Sequence, residues 1–400
     1  MDIPALQRAL VEQGLDGWLL YDFHGQNPTA LTALGLGGRM LTRRWYYLVP
    51  ARGTPRLLVH AIELRSFPAH VEGTREGYAS WQSLHAALRQ LMGALPPAPR
   101  LAMEYFPEAA IPYLSRVDAG TLEVIRSLGA QVVSSAELVQ HFLCRWSPDQ
   151  VASHQRALAG IDAAKDAAFE RIGELLRRGA EPKETEIQRF LTDRFAEAGL
   201  TCDHAPIVAV NGHAGDPHYE PSEQTPTPIR KGDLVLIDLW ARGTGPEDVY
   251  ADITWMGFCG DKPAPKMDQI FRVASGARDV GLETVALAHR EGRTLEGWQV
   301  DRAVRDHIAA KGFGDKFIHR TGHSIGVNVH GDGANLDDLE THDTRRLVPG
   351  LAFSIEPGIY LPEEGMGVRT EIDVFLSAEG PKVFSKVQQE LVHIRVSGTA

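Results

Sequence analysis

The stretch LVLIDLWARGTGPEDVYADITWMGF (residues 234–258) decides the fold. Two apolar runs with β-forming residues flank a segment containing Gly243, Gly245 and Pro246, which reads as a loop between two strands. Each run is broken by one carboxylate, Asp238 in the first and Asp252 in the second, fourteen residues apart. Strand alternation puts Asp238 on the face of Leu236 and Trp240, and Asp252 on the face of Tyr250 and Thr254. If the runs pair as a hairpin, both carboxylates converge on one site. The competing reading makes Asp238 a solvent-facing residue of an edge strand and Asp252 a turn residue. Asp248, in the loop, reads as a surface residue.

The same signature recurs downstream. Glu356 interrupts LAFSIEPGIY (351–360) and Glu371 interrupts GVRTEIDVFL (367–376). An unpaired buried carboxylate costs several kcal/mol or keeps its proton. Four of them in apolar runs, with no Lys or Arg run beside most of them, call for a shared counter-charge. Two divalent cations supply it, and hydrolytic metal chemistry follows. A nitrogen ligand is available in HRTGHSIG (319–326), where His323 stands among glycines, with His319 four residues before it and His330 seven after. His218, in the turn-rich GHAGDPHYEPS (212–222), precedes Asp238 by twenty residues, and His213 beside it reads as solvent-facing. Arg369 either forms a local ion pair with Glu371 or orients a carboxylate or the substrate. Asp373 reads as structural.

The bulk numbers narrow the field. A chain of 400 residues with 43% hydrophobic and 23% charged residues is long enough for two globular domains. A net charge of −11 argues against nucleic acid as a partner. No apolar stretch is long enough for a bilayer, and the N-terminus lacks a secretory pattern. Cys144, Cys202 and Cys259 are far apart and form no CxxC, as expected of reduced thiols in a cytoplasmic protein.

Residues 1–147 read as a small α/β domain. Helices are expected at 4–14, 81–94 and 136–146, strands at 17–23, 45–50, 56–60, 101–105 and 131–135, and a turn over FHGQNPTAL (23–31). Residues 148–400 read as an α+β domain. Its helices fall at 148–178, 184–199, 265–290 and 296–311, and its strands at 205–211, 234–241, 316–323, 325–330, 351–360, 367–377 and 382–386.

The ordered set Asp, Asp, His, Glu, Glu within LIDLWA, YADIT, HRTGH, SIEPGIY and VRTEID resembles the pita-bread metallopeptidases, which include Xaa-Pro aminopeptidase, prolidase and methionine aminopeptidase. The resemblance covers about 150–395. YDFHGQNPTAL (21–31) and MEYFPEAAIPYL (103–114) resemble the N-terminal domain of the prolidase, aminopeptidase P and creatinase branch. The resemblance implies a C-terminal pita-bread domain behind a smaller α/β domain. It implies that Asp238, Asp252, His323, Glu356 and Glu371 ligate two metals, Mn²⁺ foremost with Co²⁺, Fe²⁺ or Zn²⁺ as alternatives, and that Asp252 and Glu371 bridge them. Glu356 would also accept the proton of the attacking water. His218 would stabilise the tetrahedral intermediate, His330 would contact substrate or relay a proton, His319 would line the pocket, and Arg369 would support the site. The implied activity is hydrolysis of Xaa-Pro bonds in dipeptides or short peptides by a homodimer. The alternatives are a small non-peptide substrate, by hydrolysis or lyase chemistry, or an inactive binding module. Three features depart from the family pattern. The Asp238–Asp252 loop is longer than usual, GDGAN (331–335) follows His330 where HExP is common, and Thr370 replaces an aliphatic residue before Glu371.

Overall fold

A computed structural model describes residues 1–397. The chain divides into two compact units, Met1–Cys144 and the chain from Arg145 onward.

The first unit carries a six-stranded sheet in the order β4-β3-β2-β1-β5-β6. Its elements are α1 (Ile3–Glu12), β1 (Gly17–Asp22), α2 (Pro28–Leu34), β2 (Trp45–Pro50), β3 (Arg56–His60), β4 (Thr74–Tyr78), α3 (Trp81–Gly93), β5 (Arg100–Met103), α4 (Ala119–Ser127), β6 (Gln131–Ser134) and α5 (Ala136–Val139). β1, β2 and β3 pair antiparallel, while β3–β4, β1–β5 and β5–β6 pair parallel. Asp2 caps α1 through the Ala5 amide, and Gly14, at φ 63°, lets the chain leave it. The expected turn at 23–31 gives way to α2 from Pro28, because Asn27 caps the Ala30 amide and Pro28 opens the helix. The expected helix over 136–146 is a short α-turn that widens into a π-turn at 140–144. The strings YDFHGQNPTAL and MEYFPEAAIPYL meet inside this unit. Buried Glu104 accepts hydrogen bonds from Asn27 Nδ2 (2.8 Å) and Trp18 Nε1 (2.7 Å).

The second unit opens with α6 (Pro148–Arg177). Ser147 caps it in a capping box with Gln150, and Gly179 follows its end. Then come α7 (Glu184–Glu197), β7 (Leu200–Thr201), β8 (Ile207–Val210), β9 (Leu234–Gly243), β10 (Ala251–Phe258), α8 (Pro265–Arg290), α9 (Gly297–Ala310), β11 (Ala352–Ile355), β12 (Gly358–Leu361), β13 (Met366–Arg369), β14 (Ile372–Ser377), β15 (Gly380–Lys382) and β16 (Val392–His393). β9 is interior to its sheet, with β10 on one side and β7 and β8 on the other, so Asp238 is not on an edge strand. Ala157, Ile161, Ala164, Ala168 and Ile172 form the buried stripe of α6. They share one core with Val235, Ile237, Leu239 and Ala241 of β9. The period of two therefore turns Leu236, Asp238 and Trp240 to the opposite face.

Two expectations for this unit are corrected. No strand forms over 316–323 or 325–330. That segment is irregular, with single bridges Gly322↔Leu336 and Ser324↔Phe353, because its amides serve loop contacts such as Gly326 N to Asn328 O (3.0 Å). The strands expected at 351–360 and 367–377 are each split in two, around Glu356-Pro357 and Thr370-Glu371. At the second break the Glu371 amide leaves its own sheet and donates to Thr254 O of β10 (3.2 Å). Among the described residues no helix is long and apolar enough to cross a membrane.

Candidate metal centre

β9 and β10 pair with Asp238 opposite Thr254 and Trp240 opposite Asp252, so both carboxylates stand on one face. The break between β13 and β14 delivers Glu371 to the same place, and Thr254 Oγ1 donates to Glu371 Oε2 (2.8 Å). Ligand atoms of Asp252, His323 and Glu371 lie within 4.8 Å of one another, and all three side chains are buried. His323 Nε2 is 3.6 Å from Asp252 Oδ2 and 3.4 Å from Glu356 Oε1. Its Nδ1 faces Ser324 O at 3.1 Å, so Nδ1 carries the proton and Nε2 presents its lone pair to the carboxylates. Ser354 fixes two of these residues at once. Its Oγ accepts from the His323 amide (3.0 Å) and donates to Glu356 Oε1 (3.0 Å).

The electrostatics are those of a crowded anionic pocket. Burial, and then the neighbouring carboxylates, push Asp252 and Glu371 well above the usual carboxylate range. Burial likewise raises Glu356, against the pull of His323 and Arg369. Burial holds His323 below its ordinary pKa, which keeps the imidazole neutral and free to ligate. Asp373, read from sequence as structural, is buried beside the site. Its Oδ2 accepts from the Asp252 amide (2.8 Å), and burial and then Asp252 push it well up.

Arg369 serves Asp238, not Glu371. Its Nη2 pairs with Asp238 Oδ2, and Nη1 donates to the Tyr360 hydroxyl at 3.1 Å. Tyr360 in turn donates to His319 Nε2 (2.7 Å), and His319 Nδ1 donates to Arg320 O (2.7 Å). Both nitrogens of His319 are thus engaged in holding the Tyr360–Arg369–Asp238 chain. Burial, then Arg369, pushes its pKa down to about 3, so it stays neutral.

A divalent cation fits this donor set. Among the described residues, Arg369 is the one Lys or Arg that pairs with any of the four carboxylates, and it is engaged with Asp238. Asp252 Oδ1 is buried with no hydrogen-bond partner. Four carboxylates and a single imidazole of fixed tautomer suit hard or borderline divalent ions.

The structure places the remaining residues at the rim. His330 is exposed, and its ring meets His323 edge-on at 4.3 Å between centroids. The surrounding protein, then His323, disfavours its protonation. His218 is exposed and near enough for its charge to act on His330. The loop carrying His218 is anchored by buried Glu184, which accepts from the Val210 amide (2.7 Å) and the Tyr219 hydroxyl (2.6 Å). His213 does not face solvent freely. It packs on Tyr219 at 4.2 Å and lies 3.1 Å from Glu184 Oε1. Asp248 stays in its loop, capping the Gly245 amide (2.9 Å).

Two departures from the family pattern have packing causes. A Cβ on Gly331 would lie 2.9 Å from Ser324 Oγ and 3.2 Å from Ser324 O, so a side chain there requires Ser324 to shift. Thr370 Oγ1 accepts from Arg278 Nη1 (3.0 Å), and Arg278 is fully buried. An aliphatic residue would remove that acceptor from a buried donor.

This architecture and site define a metallopeptidase of the pita-bread fold, and the sequence profile of metallopeptidase family M24 matches residues 156–378. The chain belongs to that family, whose members use divalent metal ions. It is 32% identical over 243 residues to the probable dipeptidase PepE of Mycobacterium tuberculosis, covering 60% of this chain and 59% of that protein. It is 31% identical over 236 residues to an Xaa-Pro dipeptidase of Lactobacillus helveticus, covering 59% of each. Each of these alignments thus spans less than two thirds of the relative. The crystal structure of dipeptidase PepE from Mycobacterium ulcerans superposes with a TM-score of 0.73 over 98% of this chain and 96% of that one, at 23% identity.

Proposed function

We propose that this protein is a dinuclear metal-dependent hydrolase that cleaves the Xaa-Pro bond of dipeptides or short peptides. The observation that carries the proposal is the convergence of Asp252, His323, Glu356 and Glu371 in one buried cluster, with Asp238 on the same face of the β9–β10 pair and Asp252 Oδ1 without a partner among the described residues. The Xaa-Pro dipeptidase relative supplies the substrate class. These five residues would hold two ions, Mn²⁺ first among them because the set is rich in oxygen. When bound, such ions polarise the scissile carbonyl and lower the pKa of water.

The protein's own groups do the rest. Burial, and to a lesser degree Asp252 and Asp238, raise the pKa of Glu356, so it can take a proton from water and return it to the leaving proline nitrogen. His218 and His330, at the rim, donate N–H to the oxyanion as it forms. The proline nitrogen of an Xaa-Pro bond is a tertiary amide with no N–H, so recognition falls to ring shape and charge. The alternative of a non-peptide substrate rested on the changed segment after His330, and Gly331 there is explained by Ser324.

Gly-Pro, Ala-Pro and a longer Xaa-Pro peptide should be hydrolysed with added Mn²⁺ or Co²⁺, and a chelator should stop it. Absence of any hydrolysis across those peptides and metals overturns the proposal. His330→Ala should lower kcat by about 10²–10³-fold with little change in KM, as for loss of one oxyanion donor. Steady-state kinetics on Ala-Pro decides it, and a change confined to KM would move His330 to a purely binding role.

A further inference from the structure

Trp240 stands directly opposite Asp252 in the β9–β10 register, on the face of the metal site, and is half-buried. Trp240 packs against the buried cluster of Val249, Tyr250 and Ile325, as do Val327 and Val329 of the loop that carries His330. Trp240 Nε1 donates to Asp203 Oδ1 at 3.1 Å, which fixes an exposed carboxylate at the outer end of the indole. Asp203 lies in the connection between β7 and β8. Asp203 lies within electrostatic reach of both Asp252 and His330. Among the described residues no Lys, Arg or His forms an ion pair with it. The mechanism proposed above uses neither Trp240 nor Asp203.

We propose that Trp240 and Asp203 form a subsite for a cationic side chain on the residue that precedes the scissile bond, so that Lys-Pro and Arg-Pro sequences are the preferred substrates. This rests on the Xaa-Pro reading and deepens it. The α-ammonium of a dipeptide is bonded one carbon from the reacting carbonyl and stays over the floor carboxylates. Asp203 is separated from that floor by a whole indole, so the cation it meets is carried on a long side chain. Lys and Arg have apolar stems that lie along an aromatic face, and heads that suit both the ring quadrupole and a carboxylate. Leu or Ala would fill the indole wall and leave Asp203 unused. Glu would be repelled by it.

The test compares kcat/KM for Lys-Pro, Arg-Pro, Leu-Pro, Ala-Pro and Glu-Pro on the metal-loaded full chain, for the wild type, Asp203→Asn and Asp203→Lys. In the wild type, Lys-Pro and Arg-Pro should exceed Ala-Pro by about tenfold, expressed mainly in KM. Asp203→Asn retains an acceptor for Trp240 Nε1, and the Lys-Pro to Ala-Pro ratio should fall to about one. Asp203→Lys should move the preference towards Glu-Pro. Thermal melts confirm that the surface variants are folded. Hydrolysis of all five peptides at equal efficiency, or an unchanged ratio in Asp203→Asn, overturns this subsite and leaves the hydrolase intact. Hydrolysis of none of them overturns the hydrolase, and the subsite with it.

Discussion

Replacing Glu371 with Gln should cripple metal-dependent hydrolysis and at the same time make the metal-free protein more stable near neutral pH. Glu371 is buried and accepts one hydrogen bond, from Thr254. Burial, then Asp252 and Glu356, raise its pKa well above the ordinary value. A carboxyl whose pKa is raised on folding binds its proton more tightly in the folded chain than in the unfolded one. Its contribution to the stability of the metal-free protein is therefore greatest below the unfolded value of about 4.3 and is lost as pH rises from there through the folded pKa. Gln has no proton to lose and still accepts from Thr254, so the variant escapes this part of the loss. Metal reverses the order. A ligand that binds only the folded state adds about 2.7 kcal/mol at one hundred times its Kd, and the variant lacks a ligand oxygen with which to gain it. Thermal unfolding of both proteins at pH 5 and pH 8, in chelator and in Mn²⁺, measures the crossing. kcat/KM for Ala-Pro should fall by at least about 10³-fold, several kcal/mol of lost charge stabilisation. If Mn²⁺ stabilises both proteins equally, or the metal-free variant is the weaker one at pH 8, Glu371 is not part of a charge-starved metal site.

The pairing of β9 with β10 was legible because it needs only the period of two. Apolar alternation and a Gly/Pro loop place Asp238 and Asp252, and the register then aligns them. The same rule misled at 316–330, where FIHRTGHSIGVNVH alternates like a strand but is irregular. There the glycines let the backbone approach other chain closely. A Cβ on Gly322 would sit 1.9 Å from Ser354 O. β4 escaped notice for the opposite reason. It is an edge strand whose first four residues are exposed, and TREGY carries no apolar pattern. The supports of the site were unreadable for lack of local signal. Tyr360 meets His319 across 41 positions, and Arg369 meets Asp238 across 131. Of the two readings open for Arg369, a pair with Glu371 nearby in sequence or a role in orienting a carboxylate, the structure shows a pair with the distant carboxylate of Asp238. Geometry also reassigned His319 from a lining group to a brace, since both of its nitrogens are occupied.

That brace yields the second large effect. Arg369→Met should destabilise the metal-free protein by about 3–5 kcal/mol, the cost of leaving one member of a buried pair uncompensated. Arg369 is 4% exposed and Asp238 8%, and among the described residues no other cation pairs with Asp238. Burial alone would favour loss of the Arg369 proton, yet the surrounding Tyr360, Asp238 and Glu356 hold its pKa well above the ordinary value, so Arg369 stays charged. In the Arg369→Met variant the Tyr360 hydroxyl also loses the donor on its oxygen. Divalent ions held by the proposed ligand set would give Asp238 another counter-charge, so the deficit should shrink in Mn²⁺. The melting temperature should then fall by about 2–4 °C for each kcal/mol lost, more in chelator than in metal. Arg369→Lys should recover only part of it, because a single ammonium cannot reproduce the fork that reaches Asp238 and Tyr360 together. Equal destabilisation with and without metal would mean that Arg369 acts through packing alone and that the cations do not share Asp238 with it.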